Sequence, residues 1–493
     1  LETESSHHAS QCRMRVVDRL AADVGTHSSI QGHAIVAAVQ RVHPTADPPA
    51  RFEHDHVPPR VTQIDRSRES GEAGAHDDDP PGGLGIGTVG DARDAHALHA
   101  TRLRARSCEA DAVRYRRMPI EVESPEQLGY DTITNNLSES SVADRRLSDL
   151  GLELGSRRGA SLDEMLLCYG DHLGNPELRD AVAAGGDDLH ADDVLVMPGA
   201  AAALFATATS LLEPGDHAVI VRTNYATNLE TPRAIGAQLD IVDVTFEDAW
   251  QIDVSRIAAP VQPGITRLIS VTCPHNPTGT MFDLAALNAL VELAESSGAV
   301  LLVDETYRDL THDTPLPLAA TLSPRAISVS SMSKAYGLPG LRVGWALCRD
   351  PQLAETLLAA KEQMFICGAT LDEAIAGLVL VDRSRILPPI LDDVRSRLAI
   401  VREWMAGQQT FEWIEPQGGV VGLVRFRSDV EVDTARFYEL LLAKYGTYVG
   451  PGHWFEVDDR HFRLGFGWPT EAELRAGLDA LSSAAQDSLI GQE

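Results

Sequence analysis

Beyond residue 160, five short apolar runs recur between stretches of helical character, and this alternation constrains the fold more than any other feature. The runs are DDVLVM (192–197), HAVIVR (217–222), RLISVT (267–272), AVLLVD (299–304) and AISVSS (326–331). Each has the length and β-branched content of a strand buried on both faces, the pattern of a parallel sheet. An alanine-rich stretch running to about Leu212 and the segment 284–295 read as helices between them, and Glu-Pro-Gly-Asp (213–216) reads as a turn. Strands that alternate with helices predict an α/β domain on a mostly parallel central sheet. Around 385–407 the spacing predicts a long amphipathic helix with an early proline pair. The shorter strands and helices that follow predict a smaller α+β domain.

The first 117 residues have a different character. They hold ten of the 17 histidines, runs such as Asp77-Asp78-Asp79-Pro80-Pro81, and no sustained period. This composition predicts a mostly disordered leader, with a short helix over 30–42. Met118 stands where ordered patterning begins, so a native start at Met118 is one expectation. The domain boundaries expected are a leader at 1–117, an N-terminal arm and part of the small domain at 118–160, a large domain at 161–385 and a small domain at 386–493.

Composition narrows the function classes. A net charge of −30 argues against nucleic acid and anionic membranes as partners. No apolar run reaches the length of a spanning helix, and the N-terminus lacks a signal-peptide core. The six cysteines, at 12, 108, 168, 273, 348 and 367, show no CxxC spacing, which leaves a reduced, cytoplasmic protein as the expectation and no metal site. GIGTVG (85–90) matches a dinucleotide-binding spacing, but DDDPPGG before it cannot be the required strand. His54-Asp55-His56 and His7-His8 belong to the histidine-rich composition of the leader.

Polar groups at the strand ends carry the chemistry, because α/β sheets bind ligands there. AVLLVDETY ends in Asp304, with Tyr307 three residues on, and a carboxylate there needs a cation or a donor. In CPHNPTGT, Pro277 holds Asn276 extended. AISVSSMSK delivers Ser331, Ser333 and Lys334, and Arg342 follows in a glycine-rich loop. LVMPGAAAALF ends a strand at Gly199 and opens a helix whose free amides, at Ala200 and Ala201, suit a phosphate. Only three of the 42 basic residues are lysines, and Lys334 is the first in the chain. An amine, a phosphate cradle, a buried carboxylate and phenol or amide donors form the set that a phosphorylated pyridine aldehyde requires.

With the motifs HNPTG, DETY, SMSKAYGLPGLRVGW and FRLGFG in this order, residues 125–485 resemble the fold-type I pyridoxal-phosphate enzymes of the class I/II aminotransferase family. The resemblance implies a fold-type I PLP-transferase, with a large α/β/α domain on a mostly parallel sheet and a smaller α+β domain. It implies that Lys334 forms the Schiff base with pyridoxal 5′-phosphate and moves the substrate proton. Asp304 would pair with the pyridine nitrogen, and Asn276 and Tyr307 would contact the ring oxygen. Ser331, Ser333 and Arg342 would hold the phosphate with the amides beside Gly199, and Tyr225 would stack on the ring. Arg463 would grip the substrate α-carboxylate, with Asn276 nearby. Tyr169 would reach the phosphate of a neighbouring subunit, making a homodimer the functional unit. Two positions depart from the pattern: Met197-Pro198 precede Gly199 where relatives have a hydroxyl or amide residue, and Tyr225 lacks the usual proline two before it.

The activity this implies is amino-group transfer between an L-amino acid and a 2-oxo acid. SKAYGLPGLRVGW, GGVVGLVRF and GPGHWF also resemble capreomycidine synthase-type enzymes, which eliminate and cyclise on a hydroxylated arginine. A non-catalytic, cofactor-sensing regulator is a third reading, weakened by the acidic charge and the lack of a helix-turn-helix pattern. For the substrate side chain, Glu139 in NNLSESS would suit a basic group, and His453, Trp454 and Phe455 an aromatic one.

Overall fold

The computed structural model describes Tyr115 and residues 117–151 and 165–490, all within the compact unit Gly90–Glu493. The expected disordered leader, the helix over 30–42, GIGTVG and the early histidine motifs lie outside the described residues.

Strands are numbered in chain order, beginning with the two-residue β1 (Asn135–Asn136). The large sheet contains β2 (Val194–Met197), β3 (His217–Arg222), β4 (Gln238–Asp243), β5 (Thr266–Thr272), β6 (Val300–Asp304), β7 (Ala326–Ser331) and β8 (Gly344–Cys348). Their order is β2-β8-β7-β6-β5-β3-β4. Strand β8 runs antiparallel to both its neighbours, and every other pairing is parallel.

The sheet's two faces follow from the period of two along each strand. Ile220, Leu268, Leu302, Ile327 and Val329 share one face, covered by Leu204, Leu229 and Leu357 from the helices Ala200–Leu211, Ala226–Ile235 and Pro351–Met364. Val219, Val221, Ile269, Val271, Leu301 and Val303 share the other, under Leu287, Leu290 and Val291 of the helix Leu284–Ser297. Burying each such side chain contributes about 1.5–3 kcal/mol. The helix Leu284–Ser297 begins where Asp283 accepts from the Ala286 amide at 2.8 Å and ends at Gly298, with φ of 80°.

All five expected strands are present. Strands β4 and β8 had no counterpart in the sequence reading. Strand β4 (QLDIVD) is the sheet's edge and alternates polar with apolar residues, so it lacks the continuous apolar run of a central strand. Strand β8 is only five residues, buried throughout, and follows the glycine-rich loop directly.

The long helix spans Arg383–Ala406 and carries Pro388 and Pro389 inside it. Beyond it, β9 (Phe411–Trp413), β10 (Val421–Phe426), β12 (Gly450–Pro451) and β13 (His461–Gly465) form an antiparallel sheet of order β12-β13-β10-β9. Its core is aromatic: Phe411 and Phe426 have centroids 4.8 Å apart, Phe426 and Phe437 5.0 Å, and Phe411 and Phe462 5.4 Å. The early segment joins this region, because β1 pairs in parallel with β11 (Thr447–Tyr448).

Candidate active site

Parallel β5, β6 and β7 end at the same edge of the sheet, and register sets Thr272 beside Asp304. Just past β7 the chain delivers Lys334. A cavity of about 490 Å³ opens there, within the range of small-ligand and cofactor sites. Of the residues singled out from sequence, Ala200, Ala201, Tyr225, Asn276, Asp304, Tyr307, Ser331, Ser333, Lys334, Arg342 and Arg463 all line it. Chain positions from 200 to 463 meet in this one space.

Asp304 is buried at the end of β6. Its Oδ1 accepts from the Thr306 amide at 3.1 Å and the Thr306 hydroxyl at 2.5 Å. Burial pushes its carboxyl up, and Thr306, Asn228 and Lys334 oppose that by favouring the charged form. Lys334 Nζ donates to Ser140 Oγ at 3.0 Å. Burial lowers the Lys334 pKa, Glu139 opposes the shift, and Arg463 adds to it. A lysine depressed in this way is a better nucleophile and base than a solvated one.

The corner between β2 and the helix Ala200–Leu211 is tight. Gly199 has φ of 86°, and a Cβ there would lie 2.6 Å from Arg342 Nη2. Only glycine lets that guanidinium approach the helix start. Arg342 is held by the Pro339 carbonyl at 2.9 Å and the Pro198 carbonyl at 3.4 Å. The Ser333 amide donates to Ser331 Oγ at 3.3 Å.

Arg463, on β13, enters from the small sheet. It is only 4% exposed. Nη1 donates to Asn276 Oδ1 at 3.2 Å and Nη2 to the Ser138 carbonyl at 2.7 Å. Its Nε is buried without a hydrogen-bond partner, and the Phe455 ring lies 5.0 Å from the guanidinium. A buried guanidinium with a spare donor suits a carboxylate ligand.

Three sequence readings are refined. Tyr307 lines the cavity, but its hydroxyl donates to the Ser140 carbonyl at 2.8 Å, and burial pushes its pKa up to about 12. His453 does not line the cavity: its ring bonds Glu123 Oε2 and Asp459 Oδ1, each at 2.8 Å. Tyr169 lies outside the cavity and is 81% exposed.

Sequence reasoning missed the roof and much of the supporting shell. Short helices Pro119–Val122 and Pro125–Leu128 bring Ile120, Glu121, Ser124 and Glu126 to the cavity. Glu123 anchors them, accepting from Trp454 Nε1 at 2.7 Å and bonding His453. Ser138, Ser140 and Thr272 line the site too. Asn228, which donates to Asn224 Oδ1 at 3.3 Å, supports Asp304 from the helix Ala226–Ile235. Of this shell the sequence reading had singled out only NNLSESS, through Glu139; that Ser138, Ser140 and Ser141 are buried is visible only in the structure.

The arrangement has counterparts among known proteins. A profile of the family described as aminotransferase class I and II matches residues 144–481. Capreomycidine synthase of Streptomyces vinaceus is 35% identical over 67% of this chain and 83% of its own length. Arginine–pyruvate transaminase of Pseudomonas aeruginosa is 28% identical over 68% of this chain and 86% of its own. A solved PLP-dependent aminotransferase from Streptococcus suis superposes with a TM-score of 0.69 at 27% identity, over 74% of this chain and 97% of that one.

Proposed function

This chain belongs to the class I and II aminotransferase family, and from that premise we propose that it moves an amino group between an L-amino acid and a 2-oxo acid. Its cofactor is pyridoxal 5′-phosphate. The cavity's residues fit that group. Asp304 is a buried carboxylate whose charge is disfavoured by burial, and a protonated pyridine nitrogen would relieve it. Gly199, Arg342 and the amides of Ala200 and Ala201 would hold the phosphate, at a corner that a Cβ would fill. Ser331 and Ser333 would add hydroxyl donors, Asn276 would face the ring oxygen with Tyr307 beside it, and Tyr225 would cover the ring. When bound, the cofactor supplies an aldehyde carbon for amines and a ring that accepts electrons from the substrate's Cα.

The chain's own residues then do the rest. Arg463 takes the substrate α-carboxylate through its spare Nε, and this buried, partly unpaired guanidinium in the same cavity as Lys334 is the observation that carries the reading. Lys334 Nζ, oriented by Ser140 Oγ, accepts the Cα proton. The helices Pro119–Val122 and Pro125–Leu128 add Ile120, Glu121 and Glu126 to the cavity wall.

The test is to incubate the cofactor-loaded protein with each of the twenty amino acids and pyruvate. We expect a 2-oxo acid from the substrate amino acid and alanine in equal amount. Absence of any 2-oxo acid other than the supplied pyruvate, with no alanine formed from any of the other nineteen, would overturn transamination.

A second reading has its own support in the 35% identity to capreomycidine synthase. Here the Cα proton leaves as before, but water is lost from a hydroxylated arginine and a ring closes without amino-group transfer. Mass detection of products from β-hydroxyarginine separates the two.

We also propose a homodimer. Leu166 and Leu167 are 78% and 74% exposed, beside Tyr169, Phe365, Ile366 and Leu371, which are exposed as well. Thr370 Oγ1 donates to the Cys168 carbonyl at 3.0 Å, which makes the two segments one patch. Phe365 and Arg342 line a common cleft, so a second copy seated here would bring its Tyr169 toward the proposed phosphate corner. Among the described residues no helix is long and apolar enough to cross a membrane.

A further inference from the structure

Segment 138–140 acts as a comb across the cavity. The Ser138 carbonyl holds Arg463, and Ser140 holds Lys334 and Tyr307. Glu139 stands between them. Its Oε1 accepts from Tyr130 at 3.2 Å and weakly from Asn136 Nδ2 at 3.4 Å, and no ion-pair distance joins Glu139 to any cation among the described residues. Glu126 and Glu121 line the same cavity from the roof. The segment is seated firmly: the Gly465 amide donates to the Leu137 carbonyl at 2.7 Å, and a Cβ on Gly465 would lie 1.9 Å from the Glu139 carbonyl oxygen.

Charge bookkeeping in this space is unbalanced. Burial and Glu126 push the Glu139 carboxyl up, while Lys334 is the strongest charge favouring its ionised form. To accept the Cα proton Lys334 must be the neutral amine, and in that form it offers Glu139 no positive charge. Arg463, the other cation nearby, is buried with an unpaired Nε, and on the amino-acid reading a substrate α-carboxylate would occupy it. What remains is one cavity that holds a guanidinium for a carboxylate, Arg463, and three carboxylates, Glu121, Glu126 and Glu139.

We infer that Glu139, with Glu126, forms a subsite for a cationic side chain, so that the amino acid taken by this enzyme is a basic one. The inference rests on the reading of the cavity as an amino-acid site. A guanidinium matches best, because its planar fork can donate to two carboxylates at once. The substrate then lies with its α-carboxylate on Arg463, its Cα facing Lys334 and its side-chain cation on Glu139.

The test titrates the cofactor-loaded protein with L-arginine, L-lysine, L-citrulline and L-norleucine, following heat of binding by calorimetry and the cofactor absorption band separately. Citrulline keeps arginine's shape and loses its charge. Arginine binding at least about tenfold tighter than citrulline, with the ratio falling about tenfold in Glu139→Gln, supports the subsite. Glu126→Gln, on an exposed helical turn, provides a second variant should Glu139→Gln fail to fold, and it should lower the same ratio. Equal binding of arginine and citrulline, or a ratio untouched by both variants, overturns it. If neutral amino acids move the cofactor band while arginine shows no preference, the subsite is wrong and the amino-acid site stands. If no amino acid moves the band, the amino-acid reading falls and the subsite with it.

Discussion

Asp304 illustrates the tension between stability and chemistry at a single residue. Its carboxyl is pushed up by burial, so the folded chain without cofactor holds it less readily as an anion than the unfolded chain does. An unfolded aspartate titrates near about 3.9. Above that pH the folded state is penalised, and the penalty grows until the folded pKa is reached. Asp304→Asn should therefore raise the stability of the cofactor-free protein at neutral pH by about 1–3 kcal/mol, and the gain should vanish below roughly pH 4. With cofactor the order should reverse, because the pyridine nitrogen loses its partner. Thermal melts at both pH values, with and without cofactor, check this; a less stable cofactor-free variant at neutral pH would contradict it. Asp304 and Lys334 were legible as residue types at or just past strand ends, and Arg342 in the glycine-rich loop after them. Thr306 and Asn228, which orient Asp304, were not, because a threonine or asparagine near a strand end is ordinary until its partner is known.

Among the elements, β13 and the segment after β1 determine how the site is assembled. Strand β13 carries Arg463 and, two residues on, Gly465, whose missing side chain leaves room for the Glu139 carbonyl. Gly465→Ala should displace residues 137–140. The Ser138 contact to Arg463 and the Ser140 contacts to Lys334 and Tyr307 would then loosen together. We expect kcat/KM to fall at least about 100-fold, with cofactor still bound through the Gly199 corner. Steady-state kinetics and the cofactor band measure the two effects; unchanged kinetics would exclude the seating role of Gly465. Periodicity revealed β2, β3, β5, β6 and β7 because both their faces are covered. It missed β4, exposed at the edge, and it could not reveal that β8 runs backwards between β2 and β7, since direction leaves no trace in a five-residue apolar run.

At the scale of the whole molecule, the exposed patch of Leu166, Leu167, Tyr169, Phe365, Ile366 and Leu371 bears on assembly. Leu166→Asp combined with Ile366→Asp should convert a dimer to a monomer in sedimentation velocity and weaken cofactor binding about tenfold or more, because Tyr169 of the second copy would be withdrawn. A wild-type monomer, or a double variant that stays dimeric, would refute the proposed interface. What the sequence determined by itself was the chemistry on offer: a chain nearly without lysine that places one beside serines and an arginine, a carboxylate at the end of an apolar strand, and an alternation that only a layered α/β fold can bury. An imine-forming amine cannot be replaced by arginine, whose guanidinium stays protonated, so that residue announces itself. Only the tertiary structure decided that Ser138, Glu139 and Ser140 stand between Arg463 and Lys334, more than a hundred residues away in either case. Such contacts are made by the closing of the small sheet and the N-terminal helices over the large one, and local sequence carries no record of what lies across a cavity.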